Sequence, residues 1–505
     1  MVRANWLDRA IGVIAPGAAM NRVRNRAALE VLTRGYDGAK KSRLTHSWNT
    51  GASSADAEIA RAGPILRERM RDLERNNPHA ANAVSVLVAN IIGDGIVPRA
   101  KTGDKAKDKR INELFDKWSQ QCDAEGELDV YGIQALMVRG MIVSGDGLVR
   151  RRSRRASDGL RVPLQLQVIE TDLLDSARNG VMPNGNIAVQ GVEHDAVGRR
   201  SAYWMFSDHP GNGIFNPRAS LESKAVPASE ILHIYEKQRT QVRGVPWGSP
   251  VVTSLRDLGT YEEAELVRKK LESCMVGVLT GTDDGGLGLP LDDQPPGIYD
   301  QHGMVEKFEP GMFAVARGGS DIKFNHPAST GSYEGYKRAS LHTIAAGFRM
   351  PYSLLSGDLS QVNYSSTKVG LEAFRRLISM TQWQLVIPML CRPLWSWFCE
   401  AAYLAGEVDS TDIPAEWTPP RFYSADPLKD VNADIAEVRA GFKTPQEAIA
   451  SRGWTPDEVI SGFAEWNAMI DAAGVILDSD PRKVSGAGQM QQQEEAAQKG
   501  DTKDE

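Results

Sequence analysis

The sequence predicts an α+β fold of several packed units, and three observations carry that expectation. Strand-like runs gather between Leu148 and Tyr235, separated by turns rich in Asp, Gly, Asn and Pro. A long helix with ordered charge is followed by a Gly-, Pro- and Asp-rich insert and then by a second helix. Paired helix-start signals stand close together near the carboxyl end. A chain of 505 residues accommodates about three packed units, or one large mixed domain with extensions. At 41% hydrophobic and 25% charged it has the material for a buried core, which excludes disorder throughout.

Taken in order, the chain starts with Arg3, Arg9, Arg22, Arg24, Arg26, Arg34, Lys40, Lys41 and Arg43 against Asp8, Glu30 and Asp37, a basic arm over 1–59. The arm reads equally as a DNA or partner contact and as a solvated, partly helical terminus. From Pro64, Leu66, Met70 and Leu73 share one helical face. Asn76-Asn77-Pro78 then ends that helix and starts another, with Asn77 as its cap. The second helix is apolar nearly all round and should be buried, until Gly93-Asp94-Gly95 stops it and Ile96-Val97-Pro98 continues extended. Strands are expected at Leu148–Val149, Leu164–Ile169, Ala202–Phe206 and Ile231–Tyr235. Arg150, Arg151, Arg152, Arg154 and Arg155 crowd the turn Ser157-Asp158-Gly159, either as a solvated hairpin tip or as a contact patch for phosphate or an acidic partner.

Ser249-Pro250 opens a helix as cap and first-turn proline. Along it Glu262, Glu263 and Glu265 precede Arg268, Lys269 and Lys270, the charge order that suits the helix dipole and i,i+4 pairing. After Cys274 come β-like pieces at Val276–Leu279, Met304–Phe308 and Phe313–Ala316. Helix resumes near Ser332 and should stop at Met350-Pro351, because the residue before proline is pushed out of the helical region. Residues 351–364 form a loop, and Ser365 is expected to cap a further helix bent by Pro388 and Pro393. The cluster Trp395, Trp397 and Phe398 reads as core. Thr444-Pro445-Gln446-Glu447 and Thr455-Pro456-Asp457-Glu458 are two capping boxes, with Gly441, Gly453 and Gly474 as stops. Beyond Asp480 the Gln-, Glu- and Lys-rich tail has nothing to bury.

Charge and motifs narrow the function. With 59 basic and 65 acidic residues the net charge is −6, against a protein that holds nucleic acid by an overall basic excess. Cys122, Cys274, Cys391 and Cys399 form no CxxC pair and no zinc spacing, so a reducing compartment and no disulfide framework are expected. The apolar stretches Ala80–Gly93 and Leu385–Ala405 are too short or too interrupted to span a bilayer, and no secretory leader is evident. A phosphate loop, HExxH, GxSxG and an EF-hand are all missing. Asp283-Asp284-Gly285-Gly286 lacks the alternating oxygen ligands of a calcium loop. Ser365-Ser366-Thr367-Lys368 and Lys101-Thr102-Gly103 match two β-lactamase elements, but in reversed order and without SDN. No metal, cofactor or catalytic residue is expected.

The order of long helix, small insert, second helix, loop and third helix resembles the stem, clip and tunnel loop of phage portal proteins. Local wording sharpens the resemblance to the lambda-type portal family. The matching words are Arg34-Gly35-Tyr36-Asp37-Gly38-Ala39, Arg75-Asn76-Asn77-Pro78, Gly93-Asp94-Gly95-Ile96, Ser144-Gly145-Asp146-Gly147, Arg243-Gly244-Val245-Pro246, Gly347-Phe348-Arg349-Met350-Pro351 and Asn363-Tyr364-Ser365-Ser366. They cover nearly the whole chain outside the tail. The resemblance implies a structural, non-enzymatic subunit of a ring of about twelve copies at one capsid vertex, a closed homo-oligomer through which double-stranded DNA enters and leaves. It divides the chain into the arm 1–59, a wing 60–248, stem helices 249–273 and 332–350, an α/β clip 274–331, and a tunnel loop 351–364. A long bent helix with a return to the wing follows at 365–424, then a helical crown 425–480 and a tail 481–505. The implied partners are the terminase large subunit, the head–tail adaptor, the major capsid protein and the scaffold, with no membrane.

The residues suit such a conduit. Each phosphate neutralised by Lys or Arg adds affinity that would arrest sliding. The clip is acidic, and Asp283, Asp284, Asp292, Asp293 and Asp300 form its expected mouth and docking face. The channel-facing loop residues Ser356, Gly357, Asp358, Leu359, Ser360, Gln361, Val362 and Asn363 include no cation. Two rival readings stand beside the portal: a DNA-processing enzyme such as a nuclease or packaging ATPase, and a minor capsid or scaffold protein without a channel.

Overall fold

A computed structural model describes residues 11, 13, 15–18, 20–22, 51–214, 222–273, 277–280, 298–300, 303–304, 313–316, 333–360, 364–420, 422, 427–475, 477, 480 and 482. The chain divides into an amino-terminal unit, Met1–Ser54, and a unit Ala55–Glu505. Several of the described residues between 11 and 22 are helical. Everything below concerns the second unit.

Helix α1 spans Ala55–Asn76 and contains Pro64, which the sequence points to as its start. The buried stripe Ala55, Ile59, Gly63, Arg67 and Met70 runs straight across the proline, so packing of that face outweighs one missing backbone hydrogen bond. Helix α2, Pro78–Ile91, is capped as expected: the Asn77 side chain accepts from the His79 and Ala80 N–H groups at 3.0 and 3.2 Å. Strand β1 is Val97–Ala100. Two helices that carry no motif follow, α3 (Lys105–Ser119) capped by Asp104 and α4 (Val130–Ser144) capped by Asp129.

Strand β2 (Asp146–Ser153) is longer than its apolar start suggests, because the arginines continue the ladder. It lies between β3 (Leu164–Ile169) and β9 (Ile231–Tyr235) in an antiparallel three-stranded sheet. The chain between those partners builds a separate antiparallel sheet in sequence order, from β4 (Gly180–Val181), β5 (Ile187–Val189), β6 (Val192–His194), β7 (Arg200–Met205) and β8 (Lys224–Pro227). Leu148, Val192, Tyr203, Met205 and Ile231 form the core shared by the two sheets.

A 3₁₀ turn, Ser249–Val251, leads into α5, Val252–Ser273. Ser249 does not cap it; its hydroxyl donates to Pro246 O at 2.6 Å. The insert contributes β10 (Gly277–Thr280), β11 (Ile298–Asp300), β12 (Gly303–Met304) and β13 (Phe313–Ala316), in the order β10-β13-β11-β12 with β10 parallel to β13. Met304–Phe308, expected as a strand, is described only at Met304. Helix α6, Tyr333–Gly347, returns beside α5, where Lys337 Nζ lies 2.7 Å from Glu262 and Tyr261 stacks on Tyr333. Glu262 therefore pairs across the two helices, while Arg268 pairs with Glu265 within its own. At the base of the pair Gly347 has no room for a methyl group: a Cβ there would lie 2.2 Å from Val251 Cγ1.

Residues 352–356 form a short helix, α7 (Tyr352–Ser356), inside the expected loop. Helix α8 is Tyr364–Thr381, so Ser365 lies within it rather than capping it. Where bends are expected at prolines, a π-helical segment Gln382–Cys391 carries Pro388, and Pro393 falls in the first turn of α9, Arg392–Leu404. Proline cannot donate the i to i−4 bond, and widening to i to i−5 re-pairs its neighbours. Strand β14, Ala415–Thr418, which sequence reading overlooks, pairs antiparallel with β1. The main core joins α2, α4, the π segment and α9. Phe115, Trp118, Trp395 and Phe398 meet at ring separations of 5.1–5.5 Å, and the Trp395 indole donates to Ile413 O, so this aromatic cluster is core.

Three helices close the described chain: α10 (Pro427–Arg439), α11 (Pro445–Ser451) and α12 (Pro456–Ala473). The Thr444 capping box is complete. The second is not: the Thr455 side chain makes no cap bond, and Glu458 instead accepts from Arg99 Nε at 2.8 Å. The stops hold, with Gly441, Gly453 and Gly474 at φ of 76, 77 and 66°.

Candidate functional site

The loop expected to face a channel is built on a rigid base. Helix α6 ends in a Schellman motif, in which Met350 N–H donates to Ala345 O and Arg349 N–H to Ala346 O, each at 3.0 Å. The helix thus stops before Met350-Pro351. Next, α7 buries Leu355, and the Asn82 amide of α2 donates to both Leu354 O and Leu355 O at 2.8 Å. His342 of α6 stacks on Tyr352, with ring centres 4.2 Å apart.

Gly357, in left-handed conformation at φ 70°, terminates α7 and turns the chain. Ser356 is half-buried, its hydroxyl donating to Tyr352 O within α7. Asp358 accepts from the Ser360 hydroxyl, the Ser360 N–H and the Tyr352 hydroxyl at 2.6, 2.9 and 3.0 Å. Those donors, Ser360 foremost, pull its carboxyl down to about 2, so it stays charged. Leu359 stands 68% exposed beside it. Gln361, Val362 and Asn363 lie outside the described residues.

The arginine hairpin is present, with β2 and β3 joined through the 3₁₀ turn Ala156–Asp158. Its guanidiniums are largely engaged. Arg150 forks onto Glu230 Oε2 at 2.9 and 3.2 Å, Arg151 reaches Glu400 at 2.7 Å over the Trp397 ring, and Arg152 and Arg154 donate to Gln167 and Gln165. Arg155 is exposed, its N–H donating to Asp158. Among the described residues no hydrogen bond or ion pair joins this hairpin to the loop. In the insert, Asp300 ends β11 opposite Gly303. Asp283, Asp284, Asp292 and Asp293 lie outside the described residues.

A buried polar cluster joins residues that stand in separate motifs of the sequence. Asp146 of Ser144-Gly145-Asp146-Gly147 and Arg243 of Arg243-Gly244-Val245-Pro246 form a buried ion pair, with Arg243 Nε 2.8 Å from Oδ2. Gly244 N–H donates to Oδ1 at 2.7 Å, and His233 Nε2 lies 2.9 Å from the same oxygen. Burial opposes charge on Asp146, but Arg243, His233 and Gly244 outweigh it and hold its carboxyl well below the usual range. Burial, with Arg200 and Arg243 adding to it, lowers His233 to about 4. The imidazole is therefore neutral, with the proton on Nε2 facing the carboxylate. The two glycines let the backbones touch: a Cβ on Gly244 would lie 2.0 Å from Gly145 O. The available signal was a charged residue set between glycines in otherwise apolar surroundings. This cluster ties β2 and β9 to the segment that leads into α5.

One group among the described residues has ligand atoms close enough to hold a metal, Glu170, Asp172 and His209. Arg67 and Arg71 already sit 3.1 and 2.5 Å from the Asp172 carboxylate, so guanidiniums fill the place a cation would take. No helix among the described residues is long and apolar enough to cross a membrane.

Fold and clusters together describe a mixed α+β protein whose elements are tied by buried polar contacts. A family model described as "Phage portal protein, lambda family" matches residues 41–382, more than half of the chain. The chain belongs to the lambda family of phage portal proteins, which are structural components of the virion and not enzymes. It is 27% identical over 455 residues to a probable portal protein of Halomonas phage phiHAP-1, covering 86% of each chain. It is 21% identical over 477 residues to the portal protein of Escherichia phage N15, covering 85% of this chain and 88% of that one. Among solved structures it resembles a chain from the neck of a native GTA particle computed with C12 symmetry, at 16% identity and TM-score 0.42, covering 78% of this chain and 99% of that one. A chain from the virion of a native gene transfer agent particle is similar at 16% identity and TM-score 0.39, covering 82% of this chain and 98% of that one. Membership in a structural family sets aside the reading as a nuclease or packaging ATPase.

Proposed function

We propose that this portal protein assembles as a closed ring, of about twelve copies, through which double-stranded DNA passes during packaging and ejection. The observation that carries this reading is the family match over 41–382, which includes the paired helices, the insert and the loop. In this assignment 60–248 is the wing, α5 and α6 the stem, 274–331 the clip, 351–364 the tunnel loop and 425–480 the crown. The clip docks the terminase large subunit and later the head–tail adaptor, and the wing meets capsid protein and scaffold.

Two features support it. The crown helices leave Phe442, Phe463, Trp466 and Met469 at least half exposed in a single subunit, a surface suited to cover by neighbouring copies. From Pro351 to Ser360 the loop holds one carboxylate and no cation, on a fixed base with Leu359 outward. Such a surface can brush a duplex without releasing counterions. Negative-stain microscopy of purified protein should show cyclic particles with a central hole; compact single copies would refute the assembly. Leu359→Lys, which disturbs none of the side-chain hydrogen bonds among the described loop residues, should slow packaging, and unchanged packaging would count against contact between loop and DNA.

A further inference from the structure

We infer that Arg349 is a positioning residue, which fixes the direction in which the tunnel loop leaves the stem by locking its base to the wing through Glu236. The inference rests on the reading of 351–364 as the channel loop.

The starting point is a residue in an unexpected place. In the Schellman motif that ends α6, the left-handed position is usually glycine, because a side chain there strains the backbone. Arg349 occupies it at φ 60°. Among the described residues, Gln190 is the other non-glycine residue with positive φ. Glycine would end the helix equally well, so what arginine adds is its side chain. Both terminal nitrogens of that side chain are engaged. Nη1 and Nη2 meet the two carboxylate oxygens of Glu236 at 2.6 and 3.0 Å, and the guanidinium lies 5.2 Å from the centre of the Trp247 ring.

The geometry constrains orientation as well as distance. A two-pronged pair resists rotation about its own axis, and the ring beneath keeps the guanidinium plane from tipping. Three parts of the chain meet there. Glu236 directly follows β9, Trp247 precedes the turn into α5 and donates its backbone N–H to Ile142 O, and Arg349 stands three residues before α7. The backbone conformation sets where the chain turns, and the fork sets where that turn points.

Hydrogen–deuterium exchange on the full-length assembled protein tests this with Arg349→Gly, Arg349→Lys and Glu236→Gln. Glycine relieves the backbone and keeps the helix end; lysine keeps the charge but not the fork. All three should raise exchange severalfold across 352–360, while 341–347 and the thermal midpoint stay as in the wild type. Unchanged loop exchange in the three variants would overturn the inference. So would equal loosening of α6 and loop, which marks an ordinary stabilising contact. If the loop loosens as expected but packaging proceeds at the normal rate, Arg349 still positions the loop and the channel reading of that loop fails instead.

Discussion

Replacing Asp146 by alanine should be among the most damaging single changes in the protein. The carboxylate receives Arg243 Nε at 2.8 Å, Gly244 N–H at 2.7 Å and His233 Nε2 at 2.9 Å, all buried. Its removal strands a guanidinium and two neutral donors away from water. Breaking a buried pair by deleting one partner costs about 3–5 kcal/mol, because the surviving charge is left uncompensated. Most of that cost lies in the orphaned arginine, so Asp146→Leu with Arg243→Met should recover a large part of it. Urea unfolding followed by tryptophan fluorescence gives the comparison, since Trp395 and Trp118 report from the main core. An Asp146→Ala midpoint within about 1 kcal/mol of the wild type would refute the reasoning, as would a double variant no better than the single one.

The same cluster predicts acid sensitivity. His233 is buried neutral with its pKa lowered to about 4, so the unfolded chain gains a proton below about 6.5 that the folded chain refuses. Stability should be complete above about pH 6.5 and fall as pH drops towards 4, by on the order of 3 kcal/mol; His233→Gln, which can still donate to Asp146, should flatten the urea midpoint over that window. Gly347→Ala would press a methyl group into Val251 and cost about 1–3 kcal/mol; adding Val251→Ala should restore much of it, read by the same unfolding curves. Thr444→Ala removes a working cap and should cost about 1 kcal/mol, seen as faster exchange across 445–451, whereas Thr455→Ala, whose side chain caps nothing, should change exchange in α12 very little.

What could be read from sequence was what local chemistry decides. The Asn77 and Thr444 caps, the glycine stops, the strands Leu164–Ile169 and Ile231–Tyr235 and the turn between β2 and β3 all follow from residues within a few positions of one another. Ser249 fails to cap for a local reason, its bond to Pro246 O, but several other misses share one cause, packing or pairing with distant parts of the chain. Thr455 looks like Thr444 but loses its box because Glu458 is drawn to Arg99, far away in sequence. Pro64 looks like a helix start until the buried stripe of α1 is seen to continue through it. β14 is four residues whose reason for being a strand is β1. The Asp146–Arg243 pair joins two quoted words almost a hundred residues apart.

On the proposed reading as a conduit, the arginine hairpin bears on how the protein avoids holding DNA. Sequence reading places that property in the absence of cations from the loop and in the acidity of the clip. If the protein is such a conduit, arginines already held by carboxylates supply a second means. Arg67 and Arg71 share Asp172, Arg150 has Glu230, Arg151 has Glu400, Arg161 has Glu407, Arg243 has Asp146 and Arg349 has Glu236. Apart from Arg67 and Arg71, which share one carboxylate, a guanidinium paired with its own carboxylate brings no net charge to a passing phosphate, and taking it away would leave that carboxylate unpaired. Near-neutral composition alone would not achieve this, since the same residues dispersed as unpaired charges would present local cationic patches. If pairing is what passivates the surface, Glu230→Gln and Glu400→Gln should each expose an arginine and raise the affinity of the purified protein for duplex DNA at low salt. Charge loss without pairing would raise it equally from any exposed acid, so Glu437→Gln, on the exposed face of α10, is the control that should bind no more tightly than the parent.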